Sequence, residues 1–292
     1  MADKKKFFER VRLLDKLTPS EKKIVAFFES QYPLTAFETI TTISEKASVG
    51  KATISRFIGR LGYAKFSEFI ESMQDEMIHR LESPIERYSL KRERMTYKKE
   101  DQLDLHISYA INNLQETHQR INNNDFCRAA EFMANCKGRL FVSGAATSQA
   151  LADYFHLLSS YLRRDVYLIE PNVGTLAHQL ADVCTDDVLF ALTHQRFAKV
   201  TVNIARWFSN KHAKIILLTD REASPISDIA DIQLVSYTHA PVMFSSRCSS
   251  FLLIEALVST MTIILDKGIK ARLAEFDEFF QEFKPFHKNT LT

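Results

Sequence analysis

The chain has 292 residues, 46% hydrophobic and 25% charged, with a net charge of +2, which suits one or two ordinary packed domains. The N-terminal MADKKKFFERVRLL lacks a signal-like apolar core, and the late run FLLIEALVSTMTIIL is broken by Glu255 and too short to span a bilayer, so a cytoplasmic protein with no membrane partner is expected. Cys127, Cys136, Cys184 and Cys248 form no C-x-x-C pair and the nine histidines show no metal-ligand spacing, so no disulfide framework, metal or cofactor is expected.

Residues 1–82 read as helices. Thr18-Pro19-Ser20-Glu21 is a capping box with proline at the first helical position, followed by Ile24, Phe27 and Phe28 at helical spacing. A second helix fits 37–47 and a third 51–61, where Ile54, Phe57, Ile58 and Leu61 make one buried stripe and Gly62 a stop. A fourth, 66–82, buries Phe66, Phe69, Ile70, Met73, Met77 and Leu81. Short helix, tight turn ASVG and short helix is the layout of a helix-turn-helix. The outer face of 51–61 carries Lys51, Ala52, Thr53, Ser55, Arg56 and Arg60, small or basic residues that suit close approach to a phosphate-bearing surface. The alternative is a plain helical bundle with solvated arginines. Residues 1–100 carry 20 Lys/Arg against 15 Asp/Glu, and 101–292 carry 18 against 21, so only the front part is basic.

Residues 83–124 read as a linker, basic over 83–100 and opened by Pro84, followed by a connecting helix at 101–121. From 125 to 292 a helix at 125–136 leads into alternation. Five continuous apolar runs (RLFVSG, DVYLIE, DVLFALT, AKIILLTD, DIQLVSY) are separated by helical stretches at 147–163, 173–183, 197–210 and the short SPISDIA, with a long helix at 248–265. Uninterrupted apolar strands alternating with helices predict a doubly wound parallel five-stranded sheet. Ligands of such sheets bind at the carboxyl ends of the strands. Those ends hold Ser143, Gly144, Thr147 and Ser148, then Thr193, His194, Gln195, Arg196 and Lys199, and Thr219-Asp220.

Two sets of residues carry a resemblance. LTPSEKKIVAFF, VGKATISRFIGRLGY and KFSEF in the front part, and FVSGAATSQALA, DDVLFALTHQRFAKV, AKIILLTDREASPISDIADIQL and SSRCSSFLLIEAL behind, resemble the RpiR family of bacterial transcription regulators. The resemblance spans residues 10–268 and implies an N-terminal helix-turn-helix and a C-terminal sugar isomerase (SIS) domain. It also implies double-stranded operator DNA as partner, a phosphosugar-like anionic effector, and a homodimer or dimer of dimers. Ala52, Thr53, Arg56, Phe57, Leu61, Gly62 and Tyr63 match the family's helix, with Gly50 where its N-cap serine stands. The SIS loops usually read G-x-G-x-S and S-x-S-G-x-T. Here the first keeps Gly144 and Ser148 but has Ala146 for the second glycine, and the second has Thr193, Gln195, Arg196 and Ala198.

Ala146 is harmless if its φ is negative and a clash if it is positive. Arg196 adds a bidentate cation, with Lys199 one turn on. Alternatively, Arg196 pairs with Asp187 or Asp220, or the pocket is vestigial and serves dimerisation. SIS domains also resemble sugar-phosphate isomerases, whose chemistry needs a base over the sugar. Glu255, His194 and His239 are the candidates, but a helix-turn-helix has no role in isomerisation, so a non-enzymatic regulator is expected.

Overall fold

The computed structural model describes residues 7–14, 16–31, 38–73 and 98–285, with Ile85 and Tyr88. Met77, Leu81, Pro84 and the basic stretch up to residue 97 lie outside the described residues, Ile85 and Tyr88 aside. The chain divides into two compact units, Met1–Arg94 and Met95–Thr292.

The first unit comprises α1 (Phe7–Arg12), α2 (Pro19–Gln31), α3 (Ile40–Ala47), α4 (Lys51–Arg60) and helical residues 66–73, here α5. Its core is Phe7, Ile24, Phe28, Ile43, Ile54, Phe57, Ile58, Leu61, Phe69 and Met73 with smaller neighbours. The aromatic residues supply much of it: Phe28 and Phe69 meet edge-on at 5.4 Å and Phe7 lies 5.0 Å from Phe28. The expected capping box forms at α2, with the Thr18 amide donating to Glu21 Oε2 at 2.7 Å and the Glu21 amide to Thr18 Oγ1 at 3.3 Å.

The second unit carries β1 (Leu140–Gly144), β2 (Val166–Leu168), β3 (Val188–Leu192), β4 (Lys214–Thr219) and β5 (Ile232–Val235), all parallel in the order β2-β1-β3-β4-β5. Its helices are α6 (Gln102–Arg120), α7 (Asn123–Asn135), α8 (Gln149–Ser160), α9 (Leu176–Leu180), α10 (Lys199–Asn210), α11 (Cys248–Ile264) and α12 (Asp266–Phe283). β1 and β3 are buried at every position, as sheets covered on both faces require. Leu140, Val142, Phe190, Leu192, Ile216 and Leu218 pack with α7, α8 and α11 on one face. Phe141, Leu189, Ala191, Ile215 and Leu217 pack with α10 on the other. The chain therefore reverses its winding between β1 and β3, which opens a crevice at their carboxyl ends.

Two differences from the sequence reading stand out. The helix assigned to the connecting segment, α6, is anchored in the second unit. The Asn113 side chain exchanges two hydrogen bonds with the backbone of His239 (2.7 and 3.0 Å), and Thr117 Oγ1 accepts from the Tyr237 amide at 3.0 Å. The division by contacts accordingly falls at Arg94/Met95 rather than at 124/125. In addition, α12 was not anticipated beyond 265, although Ile269, Leu273, Phe276 and Phe280 recur at helical spacing along it. No single described helix is long and apolar enough to cross a membrane.

Candidate functional sites

In the first unit, α3 ends on Ser48, whose left-handed backbone (φ 51°, ψ 49°) turns the chain sharply. Ser44 Oγ donates to Val49 O at 2.7 Å, Val49 is buried, and Gly50 begins α4 with no side-chain cap. Glycine at an N-cap costs only a few tenths of a kcal/mol, roughly, relative to serine. Ile54, Phe57, Ile58 and Leu61 are buried, which leaves Lys51, Ala52, Ser55, Arg56 and Gly59 exposed and Thr53 half-buried. Gly62, at φ +86°, stops the helix.

Arg60, read from the sequence as part of this outer face, is committed elsewhere. Its guanidinium donates to Glu21 Oε1 and, at 3.2 Å, to the Lys16 carbonyl. Glu21 is 5% exposed. Burial raises its pKa, but the Thr18 hydrogen bonds and the Arg60 partner outweigh that and hold it below the ordinary carboxylate value. Arg60 thus ties α4 to the start of α2. Arg56 remains on the outer face, its Nε folded back 3.3 Å from the Ala52 carbonyl.

In the second unit, Gly144 ends β1 where a methyl would lie 2.3 Å from the Ser148 carbonyl oxygen. The turn that follows brings Ala146 to φ +52°, and the loop after β3 brings Arg196 to φ +79°. These are the two positions where the family's loops carry glycine. A left-handed backbone at a non-glycine residue costs about 1–2 kcal/mol at each of them.

Ser148 is 4% exposed and its Oγ lies 3.0 Å from His194 Nδ1, with Ser250 Oγ 3.0 Å from Nε2 and Ser236 Oγ 2.7 Å beyond. Ser236 Oγ ends the chain on the Thr219 carbonyl at 3.3 Å. Burial, then the Arg247 charge, lowers the pKa of His194 to about 3, so the imidazole is neutral at physiological pH. His194, expected as a direct ligand contact, is instead a buried link that joins the loop after β1 to the start of α11. Thr193 and Ser143 are buried as well, whereas Thr147, Arg196 and Lys199 are exposed and Gln195 half-buried.

Asp220 caps the second loop, accepting from the Gln195 amide at 3.0 and 3.1 Å. Asp187 is held by Arg139 at 2.8 Å, so neither carboxylate forms an ion pair with Arg196. The sequence reading missed Arg247. It sits directly before α11, donating to Thr147 Oγ1 and to the Ser246 carbonyl, both at 3.3 Å, while its buried Nε has no partner among the described residues. Burial lowers its pKa, opposed by Asp220 and reinforced by Arg196. Ser143 Oγ, Thr219 Oγ1 and Ser249 Oγ are likewise buried and unpartnered. Only the SSRCSS motif hinted at this third segment.

Three helices, α8, α10 and α11, start at this edge of the sheet; the residue before each makes no side-chain cap, although the Gln149 amide that opens α8 donates to the Ala146 carbonyl and the Cys248 amide that opens α11 donates to Ser246 Oγ at 3.3 Å. Their free N–H groups and aligned dipoles favour an anion. Among the described residues no cluster of His, Cys, Asp and Glu could hold a metal ion. Of the bases considered for isomerase chemistry, His194 is buried between Ser148 and Ser250, Glu255 is exposed on α11 and accepts from Tyr154 Oη at 3.0 Å, and the His239 backbone is bound by Asn113.

Comparison with known proteins agrees with this architecture. A family model described as a helix-turn-helix domain of the rpiR family matches residues 11–79, and a SIS domain model matches 132–260. An HTH-type transcriptional regulator of Clostridium perfringens is 22% identical over 231 residues, covering 79% of this chain and 81% of that protein. Among solved structures, the NanR protein of Vibrio vulnificus in complex with ManNAc-6P has 17% identity and a TM-score of 0.59, covering 94% of this chain and 97% of the other. The sugar isomerase domain of an RpiR transcription factor from Sphaerobacter thermophilus has 21% identity and a TM-score of 0.58, covering 61% of this chain and 99% of that one. With a helix-turn-helix of that family in front and a SIS domain behind, the two-domain build of a transcriptional regulator, the chain belongs to the RpiR family.

Proposed function

We propose that this regulator binds operator DNA through α4 and adjusts that binding in response to a small anionic metabolite, a phosphosugar or related sugar acid, held at the carboxyl edge of the SIS sheet. The observation that carries the ligand reading is the convergence of three helix starts on one edge of the sheet with the partly buried Arg247 and its unpartnered Nε. Such an arrangement lowers the energy of an anion and is hard to account for without one. The NanR neighbour, complexed with ManNAc-6P, supports the same class of ligand. Thr147, Gln195, Arg196, Lys199 and Arg247 would face it, with Ser148 offering its hydroxyl from the His194 chain.

On the DNA side, Lys51, Ala52, Thr53, Ser55 and Arg56 would enter the major groove, and a homodimer or dimer of dimers would present paired α4 helices to an inverted repeat. Ligand changes DNA affinity only by favouring one of two conformers. A regulator rather than an isomerase fits a chain with a helix-turn-helix in front of its SIS domain, whose His194 is buried and neutral between two serines. The test is a thermal-shift screen of anionic metabolites, with each hit then tested for its effect on operator binding by fluorescence anisotropy. A hit that moves DNA affinity supports the reading, and a chain that no anion stabilises contradicts it.

A further inference from the structure

Two guanidinium groups, on different loops, flank the crevice between β1 and β3. Arg247 approaches it from the face covered by α8 and α11, and Arg196 from the loop that leads into α10 on the opposite face. Arg247 has two long contacts of 3.3 Å and a buried, unpartnered Nε, so most of its donor capacity is unused. The nearby Asp220 carboxylate offsets part of this charge but takes up none of these donors, because its oxygens accept from the Gln195 amide, with Thr238 and Arg221 at 3.5 Å. Arg196 is the more telling residue. It occupies a left-handed backbone position where glycine would be free of strain, and it is exposed rather than engaged in packing. Strain of this kind clusters at binding sites. The repulsion between the two guanidinium groups also weakens Arg247's hold on its proton.

We infer that the effector carries two anionic groups: a phosphate held by Thr147, Arg247 and the first turn of α11, and a carboxylate gripped by Arg196. It is a phosphorylated sugar acid or a shorter phosphorylated hydroxy acid rather than a neutral sugar phosphate. The inference rests on the reading of the crevice as an anionic-metabolite site. A planar guanidinium matches a carboxylate in a two-point contact, and glycine at that place offers nothing comparable.

The test is calorimetric titration of the full-length protein with two matched pairs, glucose 6-phosphate against 6-phosphogluconate and glycerol 3-phosphate against 3-phosphoglycerate, and with inorganic phosphate alone. The carboxylate member of at least one pair should bind tenfold or more tightly than its partner. Arg196→Gly suits the backbone and should leave the melting temperature unchanged or raised. It should erase that preference by weakening only the carboxylate member, and Arg247→Gln should weaken both members. Equal binding within both pairs overturns the inference while leaving the anion site in place, as does an Arg196→Gly variant that loses affinity for both members alike. If neither the pairs nor inorganic phosphate bind, the anion reading falls with it.

Discussion

The substitution Gly144→Ala tests the geometry on which the crevice depends. The added methyl would lie 2.3 Å from the Ser148 carbonyl oxygen, 2.8 Å from its carbon and 3.0 Å from Ala152 Cβ. Two of these are backbone atoms at the entry to α8, so no side chain can rotate away, and ordinary contact requires them to retreat by about 1 Å. That movement stretches the 3.0 Å link from Ser148 to His194 beyond hydrogen-bonding distance. Forcing a methyl into packed surroundings costs about 1–3 kcal/mol, and the lost hydrogen bond adds about 1 kcal/mol. A total of about 2–4 kcal/mol lowers the melting temperature of a unit this size by about 5–15 °C. Differential scanning calorimetry of the full-length protein reads this in the α/β transition, with Gly268→Ala, which meets nothing within 4 Å, as the control. A Gly144→Ala protein melting within a degree or two of the parent would refute the close approach of β1 to α8 and, with it, the placement of Ser148.

Arg56→Ala should weaken operator binding by about 1–3 kcal/mol if the arginine reads a guanine, without changing stability, and binding should fall with salt at a log–log slope near −0.9 per phosphate contacted. An anisotropy titration in which Arg56→Ala binds like the parent would remove α4 from the groove. Arg60→Ala should behave oppositely, lowering the stability of the first unit by about 1.5–3 kcal/mol through the loss of its charged hydrogen bond to Glu21 and of the one to the Lys16 carbonyl. Because the pKa of Glu21 is depressed in the folded protein, its contribution is present above the unfolded value, near 4.3, and is lost as pH falls below it. Acid melts of Glu21→Gln should therefore show a flatter pH dependence than the parent. His194 also titrates lower in the folded state, at about 3, so its stabilising effect is complete above pH ~6.5 and declines by up to about 1.4 kcal/mol per pH unit as pH falls from there toward 3. His194→Gln should remove that slope between pH 4 and 6 in urea titrations. An unchanged slope would mean that the imidazole is not held neutral.

The helix-turn-helix was legible because its determinants are local. A side chain and an amide three residues apart make the capping box at Thr18 and Glu21, and a single stripe from Ile54 to Leu61 orients α4. The sheet was legible because strands covered on both faces are continuous apolar runs, and its carboxyl ends follow from the alternation with helices. What escaped depends on distant pairings. Arg60 looks like a surface cation until Glu21, 39 residues away, is seen beside it. His194 looks like a ligand contact until Ser148 and Ser250, 46 and 56 residues away, close around it. Arg247 precedes a helix with no local signal beyond a serine-rich motif. The left-handed backbone at Ala146 and Arg196 is invisible in residue types that do not favour it.

The side chains of Asn113 and Thr117 bear on where the second unit can be cut. They satisfy backbone groups of Tyr237 and His239 that would otherwise lack those partners, and both are almost fully buried. A shortened chain that begins at residue 125 would leave the strand-to-helix connection after β5 with three hydrogen bonds missing. The same connection carries Ser236 and runs on to Arg247, so its loosening would reach the pocket directly. A fragment meant to bind effector on its own must therefore start before Gln102, and one lacking α6 should melt early and bind poorly even though every strand of the sheet is present.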